Sequence, residues 1–155
     1  MCRLLAVTSA LPFAIADYVR PFAEIARGSR EYQGHGWGCA WQQEGAWRTY
    51  HTLRPVWEDD LSHLGHTREL LAHARSAFRD EGVRVENNMP FVSTPLAFVF
   101  NGELHGVRIA ERGRIGAEKL FRFVTRDLDG ADNLRRGVET VEMRSRRVRA
   151  MNFVI

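Results

Sequence analysis

Residues 36–53 read GWGCAWQQEGAWRTYHTL, two strand-like runs on either side of Gln43-Glu44-Gly45. Aromatic residues, which are frequent in strands, occur in both runs, and a short loop that ends in glycine is typical of a hairpin. The stretch therefore predicts paired strands over 36–42 and 46–53. Strand-like runs and turns of this kind alternate through the middle of the chain, with helix-like segments towards its two ends.

The same alternation continues beyond the hairpin. Residues 96–100 read LAFVF and predict a strong apolar strand, Asn101-Gly102 is a turn signal, and residues 103–109 are expected to return as the partner strand. Residues 69–78 suit a helix or a strand by composition, and their alternation fits a buried strand that follows a short helix. Apolar spacing predicts an amphipathic helix over 116–127 and a second one over 132–141, and residues 150–155 are expected to close the chain as a strand.

Residues 1–17 have two interpretations. The apolar stretch and the small residues before Asp17 resemble a weak secretory signal, although its single basic residue counts against this interpretation. The alternative is a buried strand over 3–8 followed by a helix from about Pro12, because proline is well tolerated in the first turn of a helix. The Thr8-Ser9 pair and Pro12 interrupt the apolar stretch and count against the signal.

The composition suits one compact domain. The chain has 155 residues, of which 45% are hydrophobic and 26% charged, and we expect a single domain over 1–155. No apolar run approaches the ~18 to 20 residues that cross a bilayer, so no membrane partner is expected. Cys2 and Cys39 allow one disulfide at most, and neither belongs to a CxxC pair, so zinc-finger and thioredoxin-like functions lose their main support.

The positive charge does not by itself indicate a nucleic-acid partner. The net charge is +3, from 22 basic and 19 acidic residues, and Lys119 is the single lysine. In the densest basic run, residues 144–149, the arginines alternate partly with small or apolar residues, and no aromatic residue is interleaved for base stacking. This pattern favours a solvated face over a phosphate-binding strip, and we expect no nucleic-acid partner.

Cys2 is the first candidate for chemistry. Methionine is usually removed when the next residue is small, and processing would leave Cys2 with both a thiol and a free α-amine. Their reference pKa values, about 8.5 and about 7.7 to 8.0, let the amine accept the thiol proton near neutral pH. Nucleophile and base would then lie in one residue. From its position alone, a small buried hydrophobic side chain is the simpler explanation of Cys2.

Two further segments have both a structural and a functional interpretation. Asn101-Gly102 is a common hairpin turn, and the same turn would direct an Asn side-chain amide and a Gly N–H towards one point, as in an oxyanion hole. Arg75 lies in the run His73-Ala74-Arg75-Ser76-Ala77-Phe78. An arginine in such an apolar strand either pairs with a protein carboxylate or holds a substrate carboxylate with its fork of donors.

Five segments together carry a resemblance to a known family. In chain order they are Met1-Cys2-Arg3-Leu4-Leu5, Gly36-Trp37-Gly38-Cys39-Ala40-Trp41, Leu71-Ala72-His73-Ala74-Arg75, Asn88-Met89-Pro90-Phe91 and Phe98-Val99-Phe100-Asn101-Gly102-Glu103-Leu104. In content and order they resemble the class II glutamine amidotransferases, the glutaminase domains with an N-terminal nucleophile. The small stand-alone branch, which includes the ergothioneine-pathway amidohydrolase, looks most similar because its members often begin Met-Cys-Arg.

The resemblance implies a fold, a reaction and a set of site residues. The fold is α+β, the four-layer αββα sandwich of N-terminal nucleophile (Ntn) hydrolases. Processed Cys2 would attack the γ-amide of glutamine or of a γ-glutamyl compound, and water would hydrolyse the resulting thioester. Asn101 and Gly102 would hold the oxyanion, and Arg75 the substrate α-carboxylate. No metal or organic cofactor is required, and the pocket would be shaped by Trp37, Gly38 and Phe78, with core packing as an equal alternative for Trp37.

Some positions depart from the family pattern. Where the family has an aspartate that binds the substrate α-amine, this chain has Gly116, so free glutamine is expected to bind less well unless Glu118 or Asp127 substitutes. His35-Gly36 replaces the usual acidic residue before Gly-Trp-Gly, and Met89 replaces a histidine before Pro-Phe. The resemblance therefore supports the nucleophile more strongly than the specificity for glutamine.

The chain is short for this family and stops at Ile155, within a strand-like segment. We expect a sandwich that is incomplete at the C-terminus, and its unpaired strand favours self-association. Besides the small-molecule substrate, a homo-oligomer or a synthase is the expected partner. A cytoplasmic location is expected, since reducing conditions suit a cysteine nucleophile. The alternative function is that of a catalytically inactive relative that serves as a binding or assembly subunit. Retention of Met1 would also abolish activity, because Cys2 would lack a free amine.

Overall fold

The computed structural model describes residues 1–77, 81–127 and 130–155. Its first sheet contains β1 (Arg3–Ala14), β2 (Trp37–Gln43), β3 (Ala46–Thr52) and β4 (His66–Ala74), in the order β1-β4-β2-β3. Its second sheet contains β5 (Phe91–Ser93), β6 (Leu96–His105) and β7 (Arg147–Val154), in that order. The helices are α1 (Ile15–Arg27), α2 (Gly116–Thr125) and α3 (Ala131–Met143). The fold is therefore α+β with antiparallel strand pairing, and the four-layer arrangement stays a prediction.

The chain divides into two compact units. The first comprises Met1–Asn101 together with Phe153–Ile155, and the second comprises Gly102–Asn152. The first unit contains the four-stranded sheet and α1, and the second contains α2 and α3. The expectation of a single domain over 1–155 stays a prediction. Within the described ranges, no helix has the length and apolar character needed to cross a membrane.

The β2–β3 hairpin confirms the prediction made from residues 36–53. The two strands pair antiparallel from Trp37 opposite Thr52 to Gln43 opposite Ala46. The connecting residues Glu44 and Gly45 have φ angles of 53° and 76°. Two consecutive residues of positive φ form the tight turn that matches the twist of a β-hairpin, and the glycine makes one of those positions easy to adopt.

Helix α1 covers one face of the first sheet. Its apolar residues recur at helical spacing, and the buried ones are Ile15, Ala16, Val19, Phe22, Ala23 and Ala26. Successive side chains of a strand point to opposite faces, and alternate residues of β2 and β4 join this core, namely Trp37, Cys39, Leu70, Ala72 and Ala74. The intervening residues, such as Gly38 and His73, belong to the other face, where Cys2 and Arg75 also lie.

The first strand is longer than the predicted strand over 3–8. It pairs with β4 from Arg3 to Thr8, loses register, and pairs again at Phe13 and Ala14 before α1 begins at Ile15. Pro12 falls in the stretch that forms no ladder with β4, where its missing N–H costs nothing. The helix expected from about Pro12 is present as α1, but it begins later, at Ile15, because the renewed pairing and a bond from the Ile15 N–H to the Gly65 carbonyl, 3.0 Å, extend the strand.

The predicted turn at Asn101-Gly102 was also wrong. Strand β6 runs through both residues without a break, and residues 94–95 form the turn that joins it to β5. Phe91 pairs with Phe98 across this turn. The chain leaves the strand after His105, at Gly106 with a φ angle of 62°. Pairing with neighbouring strands has overridden the local preference of an Asn-Gly pair for a turn.

The partner strand expected over 103–109 was wrong too, because residues 103–105 continue β6 and residues 106–109 are not in a strand. The remaining predicted elements are present. The buried strand expected within 69–78 is β4, which is preceded by a 3₁₀ turn at Val56–Glu58 and not by an α-helix. The helices expected over 116–127 and 132–141 correspond to α2 and α3. The closing strand β7 begins at Arg147, three residues before the expected start at 150, because the arginine run continues into the strand with its side chains exposed.

Candidate functional site

Cys2 lies at the end of the first sheet, beside the residues that follow β4. Because β1 and β4 are antiparallel and Arg3 is opposite Ala74, the residue before Arg3 adjoins the residues after Ala74. The Cys2 Sγ accepts a bond from the Ser76 N–H at 3.3 Å and donates to the Ser76 carbonyl oxygen at 3.5 Å. The side chain is partly buried and the thiol is free. The sheet register therefore fixes the position of the thiol.

The surroundings of Cys2 keep its thiol protonated. Burial raises its pKa, and the Ser76 N–H, the Met1 ammonium and the Arg75 guanidinium lower it without offsetting the burial. The thiolate is the reactive form of cysteine, so a base must remove the proton when the nucleophile acts. With Met1 in place the nitrogen of Cys2 is a peptide nitrogen and cannot serve as that base, whereas the α-amine of a processed Cys2 could.

Arg75 lies beside Cys2, and its guanidinium pairs with no carboxylate in the part of the chain that the structure describes. Its side chain is 7% exposed, and its Nη1 donates to the Asn88 Oδ1 at 3.4 Å. Asn88 is fixed in turn by a bond from its Nδ2 to the Thr52 carbonyl, 2.8 Å. Burial lowers the pKa of Arg75, and the Cys2 thiol opposes that shift. No carboxylate among the described residues forms an ion pair with Arg75, which favours a ligand carboxylate as its partner.

The backbone around Arg75 is bound on both sides. Its N–H donates to the Gly36 carbonyl at 3.0 Å, and its carbonyl accepts from the His35 N–H at 3.2 Å. The His35 Nδ1 accepts from the Ala77 N–H at 2.9 Å. The β2–β4 pairing thus continues past the last residue of β4, and residues 35–36 hold the segment that carries Arg75 and the Ser76 contact of Cys2.

Gly38 provides close packing on the same face of the sheet. A Cβ at this position would lie 2.6 Å from the Met89 carbonyl oxygen and 2.9 Å from the Tyr50 carbonyl oxygen, and would overlap the His51 ring. The His51 Nε2 is 3.0 Å from the Pro90 carbonyl, and burial lowers the pKa of His51. Gly38 is therefore required by the segment over 89–90, and its proposed contact with substrate stays a prediction.

His73 is the most unusual polar residue of this face. It is fully buried, and within the described part of the chain neither ring nitrogen has a hydrogen-bond partner. Burial lowers its pKa to about 3, assisted by the positive charge of Arg75 and by His51. The imidazole is therefore neutral at any physiological pH, and it lies two residues before Arg75 without a hydrogen bond to any described residue.

Of the two aromatic residues expected to shape the pocket, the structure describes Trp37 and not Phe78. Trp37 is fully buried in the core covered by α1, and its Nε1 donates to the Asp59 Oδ2 at 2.9 Å. Tyr50 donates to the same oxygen at 2.8 Å and packs against the Trp37 ring with centroids 5.5 Å apart. These contacts are those of a core residue, and the pocket-shaping role of Trp37 stays a prediction. Phe78 lies outside the described residues.

Asn101 and Gly102 lie next to each other in β6, at the division between the two compact units. Asn101 is the last residue of the first unit before the chain enters the second, which begins at Gly102. Because they belong to a strand, they do not form the turn from which an oxyanion hole was expected. Their role towards Cys2 stays a prediction.

The residues that surround the first residue of the chain had no signal in the sequence. The Gln33 Nε2 donates to the Met1 carbonyl at 2.8 Å, and the Arg3 Nη1 donates to it at 3.4 Å. The Met1 ammonium pairs with the Glu31 carboxylate. Gln33 is only 1% exposed although it precedes the hairpin in a polar stretch. Contacts between positions 32 residues apart have no local sequence pattern, so only the folded chain reveals them.

Glu118 and Asp127, the carboxylates considered as substitutes for the family aspartate, belong to the second unit and pair with arginines there. Glu118 is buried, and its carboxylate accepts from the Arg114 N–H at 2.7 Å, the Arg114 Nε at 2.9 Å and the Arg122 Nη2 at 2.9 Å. These bonds lower its pKa to about 2. Asp127 forms an exposed ion pair with Arg126 at 3.1 Å. Neither supplies a free carboxylate comparable to an aspartate at position 116.

The structure offers little for a metal ion. Among the residues that it describes, no three His, Cys, Asp or Glu side chains come close enough together to hold one. His63 packs against the Tyr50 ring with centroids 4.5 Å apart, and His66 is the first residue of β4. The expectation that no metal or cofactor is required stays a prediction.

The fold resembles that of solved class II glutamine amidotransferase domains. A glutamine aminotransferase class-II domain protein from Silicibacter pomeroyi superposes with a TM-score of 0.57 at 17% identity, over 90% of this chain and 63% of that one. A predicted glutamine amidotransferase from Pseudomonas aeruginosa superposes with a TM-score of 0.60 at 16% identity, over 98% of this chain and 68% of that one. At such identities the likeness concerns the fold.

The comparisons of sequence add no closer relative. No family model matches the chain, and no curated protein matches it either. This chain spans 63% of the length of the Silicibacter pomeroyi protein. The family resemblance therefore rests on the fold and on the five sequence segments, and activity, substrate and partners are matters for a proposal.

Proposed function

We propose that the protein is an amidohydrolase of the class II glutamine amidotransferase type, with processed Cys2 as its N-terminal nucleophile. Its substrate would be glutamine or a γ-glutamyl compound. The observation that carries the proposal is the closeness of Cys2 to Arg75: at the end of one sheet a thiol lies beside a buried guanidinium that forms no ion pair with a carboxylate of the described residues. The resemblance in fold to class II domains supports the same reaction.

In this mechanism the α-amine of Cys2 removes the thiol proton, and the Sγ attacks the γ-carboxamide carbon. The tetrahedral intermediate collapses as the protonated amine returns its proton to the leaving nitrogen, so that ammonia, or the amine of a γ-glutamyl amide, departs and a γ-glutamyl thioester remains. The amine then activates water, which attacks the thioester carbonyl and releases the γ-carboxylate and the free thiol. The raised pKa of the thiol makes this base essential.

The other site residues bind and orient the substrate. The Arg75 guanidinium, anchored at one nitrogen by Asn88, would hold the substrate α-carboxylate with its remaining donors. Asn101 and Gly102 are proposed to bind the oxyanion from strand β6, and Phe78 and Gly38 to bound the pocket. Gly116 leaves the substrate α-amine without the carboxylate that the family supplies. We therefore favour a substrate whose amine is modified or contributes little to binding.

The finer family assignment belongs to the same proposal. It comprises the stand-alone branch that includes the ergothioneine-pathway amidohydrolase, the four-layer Ntn sandwich and a cytoplasmic location. A homo-oligomer, or a synthase that receives the ammonia, would be the protein partner. Reducing conditions suit the free thiols of Cys2 and Cys39.

The test uses protein whose first residue is Cys2, made by cleaving an N-terminal fusion at that position and checked by intact mass. Incubation with 6-diazo-5-oxo-L-norleucine, a glutamine-like electrophile, is expected to add one label on Cys2, and glutamine or a γ-glutamyl amide is expected to be hydrolysed. Cys2→Ala should abolish both. Cys39 is fully buried, and burial together with the nearby Asp59 raises its pKa to about 12, so it should stay unlabelled. Absence of label and of hydrolysis in correctly processed protein would refute the proposal.

A non-catalytic binding subunit is the second candidate. It is favoured by Gly116, which removes a ligand for the substrate amine, and by the raised pKa of the Cys2 thiol. This candidate predicts that γ-glutamyl compounds bind to the processed protein with no turnover and that Cys2→Ala binds them equally well. Calorimetric titration beside the hydrolysis assay separates the two functions.

A further inference from the structure

We propose that Gln33 is a positioning residue that orients the α-amine of processed Cys2. The inference rests on the proposed function, because it concerns the base of that reaction. Gln33 is 1% exposed, and its side chain reaches the backbone on the N-terminal side of Cys2. It is separated from that backbone by 32 positions in the sequence and belongs to none of the five segments that carry the family resemblance.

The side-chain nitrogen of Gln33 forms hydrogen bonds, whereas its side-chain oxygen accepts none from the described residues. Its Nε2 donates to the Met1 carbonyl at 2.8 Å and to the Glu31 carbonyl at 3.0 Å. Its Oε1 is buried, and among the described residues it accepts no hydrogen bond. A buried acceptor left without a donor costs about 1–3 kcal/mol, so an unused Oε1 is an unfavourable feature of the chain that retains Met1.

Removal of Met1 supplies the missing donor. The carbonyl oxygen that Gln33 binds is within about 2.3 Å of the Cys2 nitrogen, given the bond lengths of a peptide unit. Cleavage takes this carbonyl away and converts the nitrogen into an amine with hydrogens to donate. The Gln33 Nε2 can keep the Glu31 carbonyl, while the Oε1 accepts an N–H from the amine.

The chemical value of this contact lies in the direction of the amine lone pair. An amine whose N–H is bound to the Gln33 Oε1 has fewer orientations available, and its lone pair can then face the Sγ of the same residue. A carboxamide carries no charge, so it orients the amine without stabilising the ammonium form. Among the described residues, the charged groups near this nitrogen include the Arg3 guanidinium, which donates to the Cys2 carbonyl, and the Arg75 guanidinium, which acts on the Cys2 thiol. The exposed Glu31 carboxylate, which pairs with the Met1 ammonium, is a third.

The test compares wild type, Gln33→Met and Gln33→Glu with a control variant, and all four proteins are made with Cys2 as the first residue. Gln43→Met is the matched control, because Gln43 is an exposed glutamine at the end of β2. Two rates are measured against pH: alkylation of Cys2 by iodoacetamide, followed by mass spectrometry, and hydrolysis of glutamine or a γ-glutamyl amide.

Gln33→Met is expected to lower both the alkylation rate at neutral pH and kcat about tenfold, the value of one hydrogen bond, while KM stays within twofold of the wild type. Gln33→Glu is expected to move the acid limb of both profiles to higher pH, because a carboxylate stabilises the ammonium form of the amine. Gln43→Met should match the wild type. An unchanged rate in Gln33→Met, or an unmoved limb in Gln33→Glu, would overturn the role of Gln33.

The two readouts keep the inference separate from the function on which it rests. If Cys2 of the wild type is alkylated with the expected dependence on pH but the protein hydrolyses no substrate, the amidohydrolase proposal fails. The alkylation rates of the variants still test the role of Gln33. If circular dichroism shows that Gln33→Met is unfolded, the pH profile of Gln33→Glu tests the role of Gln33 instead. Partial unfolding lowers a rate but does not move the acid limb of its pH profile.

Discussion

The buried imidazole of His73 predicts a loss of stability in acid that a single substitution removes. In the folded chain its pKa is about 3, whereas a histidine in the unfolded chain has a pKa of about 6.5. Between these values the unfolded chain binds a proton that the folded chain does not. The stability that His73 confers by staying neutral is therefore complete above pH 6.5 and is lost progressively as the pH falls towards 3.

The magnitude follows from the distance below pH 6.5. At pH 4.5, about two pH units below the pKa of an unfolded histidine, protonation stabilises the unfolded chain by about 1.36 kcal/mol for each unit, while the folded imidazole is still neutral. His73 should therefore lower the free energy of unfolding by about 3 kcal/mol between pH 7.5 and pH 4.5. His73→Leu, close to His73 in size, should lack this part of the loss. At pH 7.5 it should be at least as stable as the wild type, because it buries no unpaired polar atom.

The assay is urea unfolding of both proteins at pH 7.5, 6.0, 5.0 and 4.5, followed by circular dichroism. Other groups that titrate in acid, among them His51 and Glu118, are present in both proteins and largely cancel in the difference between them. His66→Leu, an exposed histidine on the same strand, should leave the acid loss in place. A difference between His73→Leu and the wild type that stays constant from pH 7.5 to 4.5 would refute the reasoning.

Three further predictions concern single positions. Gly38→Ala should lower the free energy of unfolding by about 1–3 kcal/mol because the new Cβ meets two backbone oxygens, whereas Gly65→Ala, with open space at its Cβ, should change little; equal effects in a urea titration would contradict the packing. Glu118→Gln should cost about 1–3 kcal/mol at neutral pH, and the cost should vanish as the pH falls from 4.5 towards 2, because the carboxylate stabilises only when ionised. Gly116→Asp has room for its side chain at the start of α2 and should lower KM for free glutamine at least tenfold if position 116 faces the substrate amine; an unchanged KM would exclude that position.

Local patterns in the sequence predicted the elements that local physics determines. The hairpin over residues 36–53 has its own turn chemistry in Glu44-Gly45, and α2 has its own amphipathic spacing, so both could be recognised without the rest of the chain. Asn101-Gly102 shows the limit. The pair favours a turn in isolation, but the neighbouring strands pair along β6 and keep it extended.

The candidate site divides in the same way. Cys2 and Arg75 were recognisable from residue type and order, and the folded chain brings them together. Gln33, Asn88 and His73 acquire their importance from contacts across the fold: Gln33 at the first residue, Asn88 on the guanidinium, and His73 beside it with no hydrogen-bond partner among the described residues. The contacts of Gln33 and Asn88 join residues far apart in the sequence, and a pattern of neighbouring residues does not contain them.

The order β1-β4-β2-β3 has a consequence for the time course of synthesis. The first strand must wait for β4 before it can pair, and His66 is made 63 residues after Arg3. At about 5–20 residues per second, the N-terminal segment stays unpaired on the ribosome for roughly 3 to 13 s. In that interval Met1 does not yet form its hydrogen bond with Gln33 and its ion pair with Glu31. An aminopeptidase therefore reaches Met1 more easily on the nascent chain than on the folded protein. A culture in which methionine removal is slowed should therefore accumulate folded chains that retain Met1. When the aminopeptidase is added later, it should remove Met1 from these folded chains only slowly.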